Sequence, residues 1–127
     1  MTEKTPTVDI LTYRRYIEAA LEYAGGSHTF EDVVEQVAAG KLQFWPGVES
    51  AVVTGIIDEP QYRALNIFLA GGNLAELERM TPLILQWGRE RGCRKAMFFG
   101  RPGWERSYLT RAGWTLSPNR LLEVALT

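Results

Sequence analysis

The stretch from Tyr62 to Arg91 constrains the fold of this chain more than any other part of the sequence. Residues 62–70 form an apolar run that predicts a buried β-strand, and residues 74–91 predict a long α-helix. Apolar side chains recur at helical spacing in that helix, at Leu74, Leu77, Met80, Ile84 and Trp87. The junction is Gly71-Gly72-Asn73. A glycine turn that leads into a helix N-terminus offers unpaired backbone N–H groups, which can hold a phosphate or pyrophosphate.

The same junction also fits a purely structural role. Asn73 is a favoured N-cap residue, and Glu76 stands three positions later, where it can complete a capping box. The pattern therefore leaves two interpretations open, an anion site or a capped connection between strand and helix.

Two helices are predicted before the sheet. Residues 10–24 have a helical period that Gly25-Gly26 should end, because glycine readily adopts the left-handed conformation. Thr29 is a plausible N-cap for a second helix that ends at Gly40, with Asp32 in the capping-box position.

Several strands follow. Residues 42–45 predict a short strand that Pro46-Gly47 should end, and because proline cannot donate to a ladder the chain there either leaves the sheet or lies at its edge. Residues 50–57 should pair with residues 62–70 as an antiparallel hairpin. Because both strands are apolar on each face, helices are expected on both sides of the sheet.

The last third of the chain alternates the two kinds of element. Pro82 predicts a kink in the long helix or a break near Thr81, and Gly92 should end it. A strand at residues 95–99, a short helix at residues 104–112 and a hairpin of residues 114–116 and 121–126 complete the order.

Composition indicates one ordinary globular domain over residues 1–127, with residues 1–8 as an extended lead-in. No apolar run reaches the length of a membrane span. The start of the chain lacks the pattern of a signal peptide, and Cys93 is the single cysteine, so we expect a cytoplasmic setting.

Charge is unevenly distributed along the chain. Residues 1–60 hold 4 Lys/Arg and 10 Asp/Glu (−6), whereas residues 61–127 hold 10 Lys/Arg and 5 Asp/Glu (+5), and the total is −1. The basic half could meet an anionic ligand or partner, or it could complement the acidic half within one fold. The small net charge makes nucleic-acid binding an unlikely function.

Known catalytic patterns are missing from the sequence. His28 has no neighbouring metal ligand or triad partner, so we expect it to be a surface loop residue. Cys93 has no activating group nearby, so we expect its thiol to be structural. We predict no metal site. No P-loop, Gly-x-Ser-x-Gly elbow or dinucleotide motif is present.

The element order α-α-β-β-β-α-β-α-β-β resembles the GCN5-related N-acetyltransferase (GNAT) fold, from about Ile10 onward. The resemblance implies an α/β (α+β) domain with a mixed, mostly antiparallel sheet and helices on both faces. In the family, a Gln/Arg-x-x-Gly-x-Gly/Ala turn binds the pyrophosphate of acetyl-CoA through backbone amides. The matching residues here are Leu69, Ala70, Gly71, Gly72, Asn73 and Leu74.

The family pattern fails at three positions. Leucine occupies the leading polar position (Leu69) and the second glycine position (Leu74), and leucine does not allow the close backbone approach that glycine allows. The family's thiolate-protonating tyrosine falls at Leu109, and Tyr108 lies one residue early, about 100° away around a helix. We therefore expect no cofactor and no catalysis, that is, a degenerate acetyltransferase.

Three phrases, at residues 40–46, 70–77 and 100–104, resemble small GNAT-like proteins encoded among virion genes of tailed bacteriophages. The resemblance implies a virion structural or assembly-accessory role, with a larger phage protein as partner, in the host cytoplasm or the virion. Arg101, Trp104 and Arg106 are the predicted contact residues, since Trp and Arg are favoured interface anchors. Trp104 could equally be a core residue.

The alternative function is an acetyl-CoA-dependent N-acetyltransferase with an atypical cofactor loop. The backbone from Leu69 to Leu74 would then hold the pyrophosphate, and Tyr108 would be the candidate acid. Glu49 and Glu59 are the candidate bases, and the spacing selects neither over the other.

Overall fold

The computed structural model describes residues 9–99, 114–116 and 121–126. Its helices are a 3₁₀ helix (Ile10–Tyr13), α1 (Arg14–Leu21), α2 (Phe30–Ala38) and α3 (Leu74–Glu90). Its strands are β1 (Leu42–Pro46), β2 (Ser50–Asp58), β3 (Arg63–Gly72), β4 (Lys95–Phe99), β5 (Thr115–Leu116) and β6 (Leu121–Ala125). The predicted short helix at residues 104–112 and the predicted lead-in at residues 1–8 lie outside the described residues.

The first predicted helix is shorter and less regular than its apolar period suggests. The Asp9 side chain accepts a hydrogen bond from Leu11 N–H at 3.0 Å, and the chain begins with a 3₁₀ helix before it widens into α1. Helix α1 then ends at Leu21, four residues before Gly25, in a series of turns. Gly25 and Gly26 both have positive φ, as predicted, but they close the turn and not the helix.

Helix α2 begins where the sequence predicts. The Thr29 hydroxyl accepts from Asp32 N–H at 3.1 Å, and the Asp32 carboxylate accepts from Thr29 N–H at 2.9 Å. Both bonds of the capping box are formed, so the sequence prediction is confirmed.

The described strands form one open, mixed sheet in the order β1-β2-β3-β4-β6-β5, in which β5 has only two residues. Strands β2 and β3 pair as the predicted antiparallel hairpin, and β1 lies at the predicted edge. Of the described pairs only β3–β4 is parallel, and α3 makes the crossover between these two strands. The result is a mixed α/β fold.

Helices cover both faces of the sheet, as predicted. One core contains α1 and α2 packed on side chains from β2 and β3, with Ile17, Phe30, Val33, Val53 and Leu69 among its buried residues. The other core contains α3, and its buried residues include Leu65, Ile67, Ile84, Phe98 and Trp114. Each face of the sheet therefore contributes to a separate apolar core.

Helix α3 continues through Pro82, so of the two predicted alternatives, a kink at Pro82 or a break near Thr81, the break is wrong. Pro82 has no N–H, so one backbone hydrogen bond of the helix is missing at this turn. The Thr81 hydroxyl donates to the Leu77 carbonyl at 2.8 Å, and Ile84 is buried in the core, so contacts on both sides of Pro82 hold the helix together. The helix ends where predicted, because Gly92 has φ of 84° at the C′ position.

Candidate functional site

The glycines of the predicted turn belong to a strand. Strand β3 runs to Gly72, and β2 pairs with it up to that residue, with Ala51 opposite Gly71 and Ser50 opposite Gly72. The prediction that Gly71 and Gly72 form an open turn after the strand is therefore wrong. The physical reason is that β2 is long enough to continue the ladder up to the helix.

Both glycines allow a close approach between parts of the chain. A Cβ atom on Gly71 would lie 2.3 Å from the Tyr16 carbonyl oxygen of α1. A Cβ atom on Gly72 would lie 2.3 Å from the Glu49 carbonyl oxygen, and Gly72 also has φ of 118°, which disfavours side chains. These glycines are required by packing within the fold, whether or not a ligand binds.

The start of α3 is capped by the chain itself. The Asn73 side chain accepts from Glu76 N–H at 2.9 Å, as predicted. The Asn73 N–H donates to the Glu49 carbonyl and to the Ser50 hydroxyl, both at 3.1 Å. The predicted reciprocal bond, in which Asn73 N–H would donate to the Glu76 carboxylate, is absent from this cap. The Asn73 N–H donates instead to Ser50, the first residue of β2, and to Glu49, the residue before that strand.

Glu76 bonds instead to the turn between β1 and β2. Its carboxylate accepts from Val48 N–H at 2.5 Å and from Glu49 N–H at 2.8 Å. Hydrogen bonding lowers the pKa of the Glu76 carboxyl. The largest contribution comes from the Val48 amide, the next from the Ser50 hydroxyl and the third from the Glu49 amide. The negative charge of Glu76 therefore lies beside the helix N-terminus, where a bound pyrophosphate would add further negative charge.

The two leucines of the site differ in environment. Leu69 is 3% exposed and packs in the core under α1 and α2, so its side chain is committed to the fold. Leu74 is 46% exposed, although its spacing predicts a buried helical position. Leu74 is the first residue of α3, and the buried residues of that helix begin at Leu77.

Strands β3 and β4 separate beside this junction. Their parallel pairing runs from Ala64 opposite Lys95 to Ile67 opposite Phe98, whereas β3 continues for five more residues to Gly72. The β2–β3 register shifts there, since Val53 is opposite Leu69 but Thr54 is opposite Ile67. Phe68 is the extra residue, a β-bulge.

A cleft of about 350 Å³ opens at this separation. It is lined by the end of α1 and the turn after it (Ala20, Tyr23, Ala24 and Gly25), by residues 66–70 of β3, and by Phe98 of β4. No local pattern in the sequence predicts this cleft, because neither the bulge nor the short overlap of β3 with β4 is recognisable there. Only the resemblance to the GNAT fold, in which the strand before the long helix splays from its neighbour, implies a gap at this strand. Leu69 and Ala70 are the two predicted site residues that line it.

The remaining predicted residues are distributed as follows. Glu49 and Glu59 are exposed in the turns at opposite ends of β2, and neither lines the cleft. Cys93 is buried, as expected, and its burial raises the pKa of the thiol. Arg101, Trp104, Arg106 and Tyr108 lie outside the described residues.

His28 differs from its prediction as a surface loop residue. It is half-buried, and its ring lies 4.7 Å from the ring of Phe68. Its Nδ1 lies 2.7 Å from the Ser27 hydroxyl, which gives it a local partner but no triad.

Two absences characterise the described part of the chain. Among residues 9–99, 114–116 and 121–126, no three His, Cys, Asp or Glu side chains are placed to hold a metal ion. In the same residues, no helix has the length and apolar character needed to cross a membrane.

Compared with known proteins, the chain matches no protein-family model and no curated protein sequence.

Proposed function

We propose that this chain is a GNAT-like domain without acetyltransferase activity, which serves a tailed bacteriophage as a virion structural or assembly-accessory protein by binding a larger phage protein. The mixed α/β architecture, with helices on both faces and one parallel pair beside α3, is consistent with that fold. The sequence phrases at residues 40–46, 70–77 and 100–104 supply the link to phage proteins.

The self-contained start of α3 is the observation that most favours a non-catalytic domain. Gly71 and Gly72 lie in the ladder with β2, Asn73 caps the helix, and the Glu76 carboxylate lies beside it. A pyrophosphate at this position would meet the Glu76 charge, and charges of the same sign repel each other.

Binding of acetyl-CoA is the direct test. A ligand at about 100 times its dissociation constant stabilises the folded state by about 2.7 kcal/mol. We expect millimolar acetyl-CoA to leave the melting temperature of this chain unchanged. An active N-acetyltransferase, measured in parallel, is the positive control and should show a rise. A rise of several degrees would contradict the non-catalytic proposal.

One observation favours the alternative, an acetyl-CoA-dependent N-acetyltransferase with an atypical loop. The cleft beside residues 66–70 lies where two parallel strands separate, and such a gap can receive an extended ligand. On this alternative the backbone from Leu69 to Leu74 holds the pyrophosphate and Tyr108 is the acid. The variant Ala24→Trp, which would place an indole at a half-buried position that lines the cleft, should then abolish the thermal shift that acetyl-CoA produces.

A further inference from the structure

The outer edge of β1 has a defined set of outward-facing backbone groups. Gly47 N–H donates to the Ser50 carbonyl at 2.8 Å, which fixes the phase of the β1–β2 ladder. Because bonded and non-bonded pairs alternate in an antiparallel ladder, Gln43 and Trp45 bond to β2. Leu42, Phe44 and Pro46 therefore direct their backbone groups away from β2.

This edge offers two donors and three acceptors. Leu42 and Phe44 each present an N–H and a carbonyl, whereas Pro46 presents only a carbonyl, because proline has no N–H. Within the described residues, no strand pairs with this side of β1.

The side chains of β1 protect the edge at one position only. Monomeric sheet proteins commonly shield an edge strand by keeping it very short or with charged residues, proline or bulges. The one such residue in β1 is Pro46, its last residue, which leaves the Leu42 and Phe44 edge groups unshielded. Strand β1 has the uncharged sequence Leu-Gln-Phe-Trp-Pro and pairs with β2 without a bulge, and its first four residues are only half-buried.

We propose that two copies of this chain associate through their β1 strands, paired antiparallel about a two-fold axis at Phe44. In this register Phe44 bonds to Phe44 of the second copy in both directions. Leu42 N–H of each copy donates to the Pro46 carbonyl of the other. All four outward N–H groups find an acceptor, and the missing N–H of Pro46 falls at the ends of the new ladder.

The match of donors and acceptors favours a second copy as the occupant. A two-fold axis at Gln43 or Trp45 also places outward groups opposite each other, but it overlaps only part of the strand. The axis at Phe44 uses all five residues and pairs the two Phe44 side chains across the strands, where aromatic pairs are stabilising. The proposal goes beyond the function proposed above and does not depend on it.

The test compares Leu42→Pro with Leu42→Ala by sedimentation velocity over a range of protein concentrations. Both variants lose the leucine side chain, but only proline removes the outward N–H. We expect a dimer in the unmodified chain and in Leu42→Ala, and a dissociation constant at least about tenfold larger in Leu42→Pro, which loses two hydrogen bonds per dimer. A monomer at every concentration, or a dimer equally stable in both variants, would overturn the proposal.

Hydrogen exchange of the unmodified chain provides a second measurement that requires no substitution. The Leu42 and Phe44 amides should exchange more slowly as protein concentration rises, whereas the Gln43 and Trp45 amides, already bonded to β2, should change less. Protection of Leu42 and Phe44 that is independent of concentration would mean that another part of the same chain covers the edge. That result would also contradict the dimer.

Discussion

Gly71 has no side chain, and this allows α1 to lie directly against β3 at this position. Its Cα faces the backbone of Tyr16, and a methyl group there would lie 2.3 Å from a carbonyl oxygen. Backbone atoms of a packed helix cannot move aside as a flexible side chain can. The distance between α1 and the sheet is therefore set at this position.

The substitution Gly71→Ala should destabilise the fold by about 1–3 kcal/mol, the usual cost of forcing extra volume into a packed core. Gly55→Ala is a matched control, since it lies in the neighbouring strand and the nearest atom to a methyl group there would be the end of the Leu42 side chain, at 3.0 Å, with the Lys41 carbonyl oxygen at an ordinary 3.9 Å. Urea unfolding of both variants measures the difference. Equal stabilities would show that α1 moves away without cost.

At the scale of elements, Glu76 connects α3 to the β1–β2 turn. The Tyr13 hydroxyl also bonds to the Gly47 carbonyl of that turn, at 2.8 Å. Two helices on opposite faces of the sheet thus hold the same turn. Val48, which is 87% exposed, lies at its tip.

The Glu76 contact should make stability depend on pH. Because the folded-state pKa of Glu76 is lowered, its contribution is complete above the ordinary glutamate value of about 4.3 and is lost as pH falls through the folded pKa. Glu76→Gln should therefore be less stable than the unmodified chain at neutral pH, and the difference should shrink in acid. Denaturant unfolding from pH 7 to pH 2 measures it.

Glu90→Gln is the control for this series. It removes the same charge from the same helix, at an exposed side chain that bonds only to Gln86 among the described residues. Its stability relative to the unmodified chain should change little over the acid range. A parallel response in both variants would indicate a general charge effect and not the contact with the turn.

The elements were more predictable than their junctions. The Thr29 capping box, the Gly92 stop and the β2–β3 hairpin each depend on local chemistry, which the sequence displays directly. Glu76 was assigned to Asn73, its neighbour in sequence, whereas the structure places it on Val48 and Glu49, 28 and 27 residues away. A contact between distant segments leaves no periodic signal. The cleft beside β3 has no local signal either, and only the GNAT resemblance, in which the strand before the long helix splays from its neighbour, implies it.

At the scale of the whole molecule, the proposed phage role predicts association with particles. The protein should co-purify with a virion or with a portal, core or tail assembly. If Trp104 is an anchor, Trp104→Ala should weaken that association by about 2 kcal/mol or more, roughly 30-fold, while the fold survives. Co-sedimentation with particles measures the association.

Trp114→Ala is the matched control for that experiment. Trp114 is buried in the core beside α3, so its loss should reduce stability by about 3–5 kcal/mol. If Trp104→Ala shows the same loss in urea unfolding, Trp104 belongs to the core and is not an anchor. Failure to find the protein with particles at any assembly stage would contradict the phage role itself.

The bulge at Phe68 has a consequence for how this sequence can tolerate change. Side chains alternate between faces along a strand, so Leu65 and Ile67 point toward α3, and the extra residue reverses the parity of everything after it. Leu69 and Gly71 therefore face α1, and Ala70 faces α3. Deleting Phe68 would make Leu69 follow Ile67 in a regular ladder, opposite the same β2 residues, Val53 and Thr54, so Leu69, Ala70 and Gly71 would keep their faces. The extra residue thus adds a Phe68 side chain beside Leu69 without changing which residues meet α1, and removing it is the one-residue deletion that this strand is best placed to accept.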